Sequence, residues 1–309
     1  MKTDLYQQVT DRVIALMQQH GAAWINPMSR AGSSYAPRNP TTGKAYRGIN
    51  VLLLSCSAFT SNQWAGFSQW KAKGCNVKKG SKATTIVYWK IIRKRQLVEG
   101  VERESTLPLL RYLNVFNLDQ VEGEYADKAR GAETSAPTSL VDACASADEL
   151  VKACGAVIRQ DAEARAYYSP IGDFVHMPNR EVFAATSTSS ATENFYSTLL
   201  HELTHWTGHS SRLSRDFSGR FGSDAYAAEE LVAELGAAFL CAELGISPTP
   251  RADHAAYLNS WLRVLRNDPK AIVTAASKAK AAAAFLTQSL DDSDSEEEGE
   301  EVAPIAEAA

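Results

Sequence analysis

The spacing of apolar and polar residues predicts helices in the first part of the chain. Apolar residues recur at helical spacing over residues 3–20, as they do on the buried face of an amphipathic helix. Residues 21–48 are rich in Gly, Pro, Ser and Asn, which indicates an irregular loop. The apolar residues 49–60, and then residues 67–73, are predicted to form two further short helices.

A different pattern begins after residue 77 and predicts a β-hairpin. β-Branched and aromatic residues indicate a strand at 84–89 and a partner strand at 110–117. The charged segment 93–105 between them is expected to be the hairpin loop. Residues 124–138 lack periodicity and are rich in Ala, Ser, Thr and Gly, so they are predicted to be a linker.

The second half is predicted to be mostly helical. A helix near 146–155 is followed by two short strands within 166–177, which turn at 170–173. Periodic apolar residues then predict helices at about 192–208, 224–244, 251–266 and 270–289.

These elements predict an α+β fold with two domains. A basic α+β domain is expected at 1–123, followed by the linker at 124–138. A mostly helical domain with a small sheet is expected at 139–290. Residues 291–309 carry nine acidic residues and no basic residue, which is typical of a disordered tail.

Composition narrows the class of protein. The chain has 309 residues, of which 45% are hydrophobic and 22% charged, which excludes a disordered chain, a collagen and a small disulfide scaffold. Neither a membrane span nor a signal peptide is recognised. Five scattered cysteines form no CxxC pair, so free thiols and a cytoplasmic location are expected.

The net charge of −4 conceals two oppositely charged parts. Residues 1–123 contain 17 basic and 7 acidic residues, whereas the rest of the chain contains 15 basic and 29 acidic residues. Such asymmetry indicates that the two parts have different partners.

The segment His201-Glu-Leu-Thr-His205 is the strongest chemical signal in the sequence. On a helix, the two imidazoles lie one turn apart on the same face, so both can bind one cation. Glu202 can take a proton from a metal-bound water without being a ligand. Zn²⁺ is the expected ion, with Mn²⁺ as the alternative.

A third ligand is expected from the acidic helix that follows. His209 falls two residues short of the HExxHxxGxxH spacing, where Ser211 stands. Glu230 is the favoured ligand because Glu234, one turn later, could then hydrogen-bond a metal-bound histidine. Glu229 remains the alternative.

Two further features would suit cleavage of a peptide. Tyr168 and Tyr226 are candidate donors to the oxyanion that forms during hydrolysis. The segment 167–177 could be an edge strand, along which an extended peptide substrate would pair.

The basic part combines cations with aromatic rings, a combination typical of sequence-independent binding to single-stranded nucleic acid. The alternative is a basic surface over core aromatics. The candidate DNA-binding residues are Lys44, Tyr46, Arg47, Trp64, Trp70, Lys78, Lys79, Lys82, Arg93 and Lys94.

Several separate motifs, in order, resemble the ArdC-type antirestriction proteins of conjugative plasmids. They include residues 40–50 (PTTGKAYRGIN), 115–123 (VFNLDQVEG) and the His201–His205 motif followed by the acidic helix. The resemblance covers about residues 3–290. It implies an N-terminal domain that binds single-stranded DNA and a C-terminal zincin-like metallopeptidase domain. It also implies protection of incoming plasmid DNA from host restriction.

By this resemblance His201 and His205 are metal ligands, Glu202 is the catalytic acid and base, and one of the paired glutamates completes a gluzincin-like zinc site. Two other functions remain open. The chain could be a DNA-dependent protease that cleaves DNA-bound proteins, or a pure DNA-binding module whose metal domain is proteolytically idle.

Overall fold

A computed structural model describes most of the chain. The described residues are 4–21, 24, 36–57, 59–98, 101–133, 140–186, 189–220, 222–247 and 254–287. The predicted acidic tail at 291–309 lies outside them. Among the described residues, no helix combines the length and the apolar character that crossing a membrane requires.

The first part of the chain alternates short helices and strands. The elements are α1 Leu5–His20, α2 Ile49–Ser55, β1 Trp64–Gly66, α3 Phe67–Ala72, β2 Asn76–Val77, β3 Thr84–Val98, β4 Val101–Asn117 and β5 Val121–Glu122. Strands β1, β4 and β3 form one antiparallel sheet in that order, and β2 pairs with β5. The three predicted helices are confirmed, although α2 ends five residues before its predicted end.

The prediction of a charged hairpin loop at 93–105 is wrong. Strands β3 and β4 continue through this segment, in antiparallel register from the Thr84–Val115 pair to the Val98–Val101 pair. The ladder satisfies the backbone hydrogen bonds of both strands. The charged segment therefore belongs to the paired strands, apart from the residues between Val98 and Val101.

The segment predicted to be a linker without regular structure contains helix α4, Glu124–Glu133. Ala126 is buried and packs with Trp70, Leu118 and Val121. The interpretation of residues 124–133 as irregular is therefore wrong, because a single apolar stripe was enough to anchor a polar helix.

The second part is mainly helical. Its elements are α5 Leu140–Cys154, β6 Val157–Asp161, β7 Tyr167–Ser169, β8 Phe174–Pro178, α6 Ala191–Thr207, α7 Asp224–Leu244, α8 His254–Asn267 and α9 Ala271–Leu286. The predicted helices and the two strands around 170–173 are confirmed. Strand β6 was not predicted, and it pairs parallel to β8, which places β8 at the centre of a three-stranded sheet.

One hydrophobic core joins the two parts. Residues of α1 and α2 pack in the same cluster as residues of α6 to α9. The rings of Trp24 and Trp261 pack edge to face, with their centroids 6.2 Å apart. The predicted domain boundaries at 123 and 139 stay a prediction, and the core crosses them.

Helices α6 and α7 pack closely where the candidate site lies. A Cβ atom on Gly236 of α7 would meet Thr204 Cγ2 of α6 at 2.5 Å. Thr204 lies between the two histidines of the HExxH motif in the sequence, and its side chain is fully buried. The absence of a side chain at Gly236 therefore sets the spacing of the two helices that carry the site.

Candidate metal centre and nucleic-acid interface

Helix α6 presents the HExxH motif from inside the core. Ser190 begins the helix as a capping box with Glu193: the Glu193 backbone N–H donates to Ser190 Oγ, and the Ser190 backbone N–H donates to the Glu193 carboxylate. Leu200 and Leu203 are buried in the main core. The opposite face of the same turns carries the two histidines toward α7.

His201, His205 and Glu230 come together between α6 and α7. His201 Nε2 lies 3.5 Å from Glu230 Oε2, and His205 Nε2 lies 3.5 Å from Glu230 Oε1. One ligand atom from each residue lies within 4.8 Å of the other two, and all three residues are buried. Two imidazoles and one carboxylate suit Zn²⁺ and similar divalent ions, with a further position left for water.

The two adjacent glutamates take different places. Glu229 Oε1 lies 3.1 Å from His205 Nδ1, on the side of the ring away from the shared Nε2 position. Glu234 Oε2 lies 3.6 Å from His201 Nδ1. This arrangement favours Glu230 as the third ligand, with Glu229 and Glu234 as the residues that orient the two imidazoles.

Sequence reasoning missed Arg215, which holds Glu229 in place. Its Nε and Nη2 donate to the Glu229 carboxylate at 2.9–3.2 Å. Nη1 donates to Thr207 Oγ1 and Nη2 to the carbonyl of Thr204. A lone Arg in an irregular segment carries no motif, so no sequence signal was available.

Replacing Arg215 with Met is expected to lower stability by about 3–5 kcal/mol, because the Glu229 carboxylate would stay buried without its cation. Metal affinity is expected to fall by about 10–100-fold, because His205 would lose its orienting partner. Urea unfolding and metal titration measure the two effects.

Arg212→Met is the matched control for that substitution. Arg212 forms an ion pair with Asp173, and its Cζ lies 3.8 Å from the centre of the Trp206 ring. These contacts do not involve the three candidate ligands. It should lose stability with little change in metal affinity. Equal losses of metal affinity in both variants would contradict a specific role for Arg215.

The electrostatics of the centre are those of a charged pair held out of water. Burial alone would lower the pKa of His205, but Glu230 and Glu229 outweigh it and raise the pKa to about 10. Burial alone would raise the pKa of Glu230, but His205 and His201 hold it well below its usual range. At neutral pH the metal-free centre therefore keeps a proton on His205.

Metal binding is expected to release this proton, so apparent affinity should rise as pH rises from 6 to 9, by about tenfold per pH unit for each proton displaced. Titration calorimetry in two buffers of different ionisation enthalpy measures the release. His209→Gln should release the same number of protons, since His209 bonds Ser211 outside the centre. A metal-binding enthalpy that is the same in both buffers would contradict this proton release.

Two tyrosines differ in their suitability as oxyanion donors. Tyr226 lies one turn before Glu230; burial raises its pKa, and neighbouring Tyr257 and Glu230 raise it further. The hydroxyls of Tyr226 and Tyr257 are 3.2 Å apart. Tyr168 instead donates to Asp173 at 3.0 Å, within the Asp173–Arg212 pair. The geometry favours Tyr226.

The expected edge strand is partly present. Strand β7, Tyr167–Ser169, lies at an edge of the three-stranded sheet and is in contact with α6. Residues 170–173 form the turn, and residues 174–177 belong to β8, which lies at the centre of the sheet. Only β7 could therefore pair with an extended peptide at this side.

Two aromatic residues that were predicted to contact DNA lie in the core and not on the surface. Trp64 and Trp70 are 1% and 0% exposed. Trp64 packs with Leu54, Ile86 and Val115, and Trp70 donates its indole N–H to the carbonyl of Phe116. A small basic domain needs its largest rings for its own core, so the prediction that these two stack on bases is wrong.

The other predicted DNA contacts have varied positions. Lys44, Arg47, Lys78, Lys79 and Lys82 are exposed. Tyr46 is half-buried and donates to the carbonyl of Trp64 at 3.0 Å. Arg93 and Lys94 lie in β3.

Two exposed rings that were not among the predicted DNA contacts lie on β4 and α3. Tyr112 is 60% exposed and Phe67 is 58% exposed. The Phe67 ring packs edge to face on Phe116, with centroids 6.4 Å apart. The sequence could not separate these rings from core rings, because it does not show which face of β4 or of α3 is covered.

Comparison with known proteins gives matches to both parts of the chain. Residues 3–116 match the family described as the N-terminal domain of anti-restriction factor ArdC. Residues 145–278 match the family described as a zincin-like metallopeptidase.

Curated relatives include a DNA primase TraC of Escherichia coli, 34% identical over 296 residues. That alignment covers 91% of this chain but 27% of the primase, so the chain spans about a quarter of its length. A second TraC primase of the same species is also 34% identical, and 19% of it is covered. An uncharacterized protein y4eC of Sinorhizobium fredii is 36% identical, with 92% of both chains covered.

Two crystal structures of the antirestriction ArdC protein from plasmid R388 resemble this chain. The metal-free structure has a TM-score of 0.72 at 39% identity, and the Mn(II)-bound structure has a TM-score of 0.70 at 38% identity. Each match covers 92% of this chain and 97% of the other.

Proposed function

The chain belongs to the family of the ArdC antirestriction proteins, and from this membership we propose that it binds single-stranded DNA and protects incoming plasmid DNA from host restriction. It acts in the cytoplasm, where that DNA arrives. The observation that carries the DNA-binding part is a pair of exposed rings, Tyr112 on β4 and Phe67 on α3, near a loop of exposed lysines.

The aromatic face consists of Phe67, Tyr112, Asn114 and Phe116. Residues 112, 114 and 116 lie on the same side of β4, because side chains alternate along a strand. Phe67 extends this side through its contact with Phe116. Tyr112 and Phe116 are about 13 Å apart along the strand, and Phe67 packs on Phe116. Separate bases could therefore stack on the exposed rings of Tyr112 and Phe67.

The lysine loop, residues 78–82, supplies the charge. Lys78 Nζ donates to the carbonyl of Asp119 at 2.9 Å, and Gln120 Nε2 donates to the carbonyl of Lys82 at 2.8 Å. These bonds hold the loop beside the end of β4, close in sequence to Phe116. Lys78, Lys79 and Lys82 could therefore follow the phosphates of a strand whose bases stack on the rings.

The metal centre is proposed to hold one divalent ion through His201, His205 and Glu230. The donor set fits Zn²⁺, and the Mn(II)-bound relative supports Mn²⁺ as the alternative. When bound, such an ion acidifies a water molecule and polarises a carbonyl group.

The residues around the ligands have distinct roles in this proposal. Glu202 takes a proton from the attacking water and returns it to the leaving amine. Tyr226 donates a hydrogen bond to the oxyanion. Glu229 and Glu234 orient the imidazoles of His205 and His201.

A DNA-dependent metalloprotease is the second candidate function. The observation that favours it is that the three candidate ligands His201, His205 and Glu230 lie together between α6 and α7. Tyr226 lies one turn before Glu230, and the buried Glu202 follows His201 in the sequence. A purely DNA-binding protein would not require Glu202 or Tyr226 in these positions.

Conjugative transfer of unmodified plasmid DNA into a restricting host tests the function and separates the candidates. Cells that express the full chain are expected to receive the plasmid more often than cells without it. Lys78→Glu/Lys79→Glu should abolish the gain. Retained protection with Glu202→Gln would make the metal domain proteolytically idle in this role, and lost protection with intact DNA binding would favour the protease. No gain with the unsubstituted chain would contradict the antirestriction proposal.

A further inference from the structure

A second cluster of possible metal ligands lies in the small C-terminal sheet, outside the centre between α6 and α7. Asp161 ends β6, Glu163 lies in the loop that follows, and His176 lies in the central strand β8. One ligand atom from each lies within 4.8 Å of the others. The carboxylates are exposed and the imidazole is buried, so an ion here would have protein on one side and water on the other.

His176 distinguishes this cluster from an ordinary pair of surface acids. The residue is 4% exposed. Its Nδ1 lies 2.7 Å from the carbonyl oxygen of Arg165, which can only accept a hydrogen bond, so Nδ1 carries a proton. The ring also stacks on Tyr167, with centroids 4.9 Å apart and planes inclined by 14°. These contacts fix the plane of the imidazole and the direction of Nε2.

The fixed Nε2 lies beside Asp161. It is buried, and it makes no hydrogen bond of ordinary angle to the described residues, although Asp161 Oδ1 lies 3.1 Å away. A neutral imidazole with Nδ1 protonated would set a lone pair against a carboxylate, and two acceptors at this distance need a cation between them or beside them.

That cation is either a proton on Nε2, which would make an ion pair with Asp161, or a metal ion, and two observations favour the metal. Glu163 adds a second carboxylate within ligand distance. The contact from Nδ1 to a backbone carbonyl is the outer contact that metal-binding histidines usually make.

We propose that Asp161, Glu163 and His176 bind a second divalent transition-metal ion of the Zn²⁺ or Mn²⁺ class. One imidazole with two carboxylates suits these ions, whereas Ca²⁺ and Mg²⁺ prefer oxygen ligands alone. Water would complete the coordination on the exposed side. The ion would tie the loop between β6 and β7 to strand β8, and it binds more weakly than the buried centre because two of its ligands are exposed.

The test is a titration of the metal-stripped full chain with MnCl₂, in which electron paramagnetic resonance measures free Mn²⁺. Two bound ions per chain are expected. Asp161→Asn/Glu163→Gln should remove the weaker one. Glu149→Gln/Glu181→Gln, which also removes two exposed carboxylates, should leave both. The proposal would be overturned if the unsubstituted chain bound one ion and the Asp161→Asn/Glu163→Gln variant kept it. It would also be overturned if that variant bound two ions.

A His201→Ala/His205→Ala variant, with its fold checked by circular dichroism, separates this site from the centre on α6 and α7. It should lose the tighter ion and keep the weaker one. If the unsubstituted chain binds a single ion that this variant loses, the second site is overturned and the first stands. If the unsubstituted chain binds a single ion that only Asp161→Asn/Glu163→Gln removes, the second site stands and the first is contradicted.

Discussion

Lys78→Glu/Lys79→Glu is expected to weaken binding of the full chain to single-stranded DNA by about a hundredfold at low salt. Both side chains are exposed, in a loop held beside the end of β4. Reversing the charge of these two side chains would remove two lysine–phosphate ion pairs and add repulsion between the new carboxylates and the phosphates. The slope of log Kd against log salt should fall by about 0.7 for each of these ion pairs. Fluorescence anisotropy with a labelled random oligonucleotide at several salt concentrations measures both quantities.

The matched control is Lys152→Glu/Arg266→Glu, which changes the net charge equally at exposed positions of α5 and α8. It should keep DNA affinity close to that of the unsubstituted chain. If both variants lose affinity alike, binding follows net charge and the lysine loop has no special role.

Glu202→Gln is expected to lower proteolysis by about 10²–10⁴-fold, the range usual for a lost general base. Gln keeps the size of the buried side chain and removes only its ability to take a proton. Glu202 is not among the three clustered ligands, so occupancy of the centre should not change. Cleavage of casein, with and without single-stranded DNA, together with metal content measures the two effects.

Glu181→Gln, an exposed position outside the centre, should keep full proteolysis. An unsubstituted, metal-loaded chain that cleaves nothing, even with DNA present, would contradict the peptidase proposal. The family membership would stand, and the idle metal domain would replace the peptidase.

The elements around the metal centre could be predicted from sequence because their signals are local. Helices α6 and α7 have long apolar stretches with Ser caps, and HExxH places two candidate ligands on one face of a helix. The choice between Glu229 and Glu230 could not be made from spacing alone. Adjacent residues on a helix differ by about 100° in direction, so the choice depends on how α7 turns toward α6, which is a property of tertiary packing.

Other features were missed because no local pattern encodes them. Arg215 reaches Glu229 from an irregular segment through three-dimensional proximity alone. Trp64 and Phe67 lie three residues apart in an aromatic-rich segment, yet one is buried and the other exposed. Composition predicts a basic aromatic domain, but the sheet β1–β4–β3 decides which rings face solvent.

The measurement that tests the central claim most directly is the affinity of the full chain for single- and double-stranded DNA of random sequence at two salt concentrations. The full chain is required because α1 and α2 share a core with α6 to α9. The account predicts salt-dependent binding that is at least about tenfold tighter for the single strand, since only unpaired bases can stack on Phe67 and Tyr112. Phe67→Ala/Tyr112→Ala should lose this preference, while Leu113→Ala, at an exposed residue on the other side of β4, should keep it. Equal affinity for both forms, or no binding, would contradict the account.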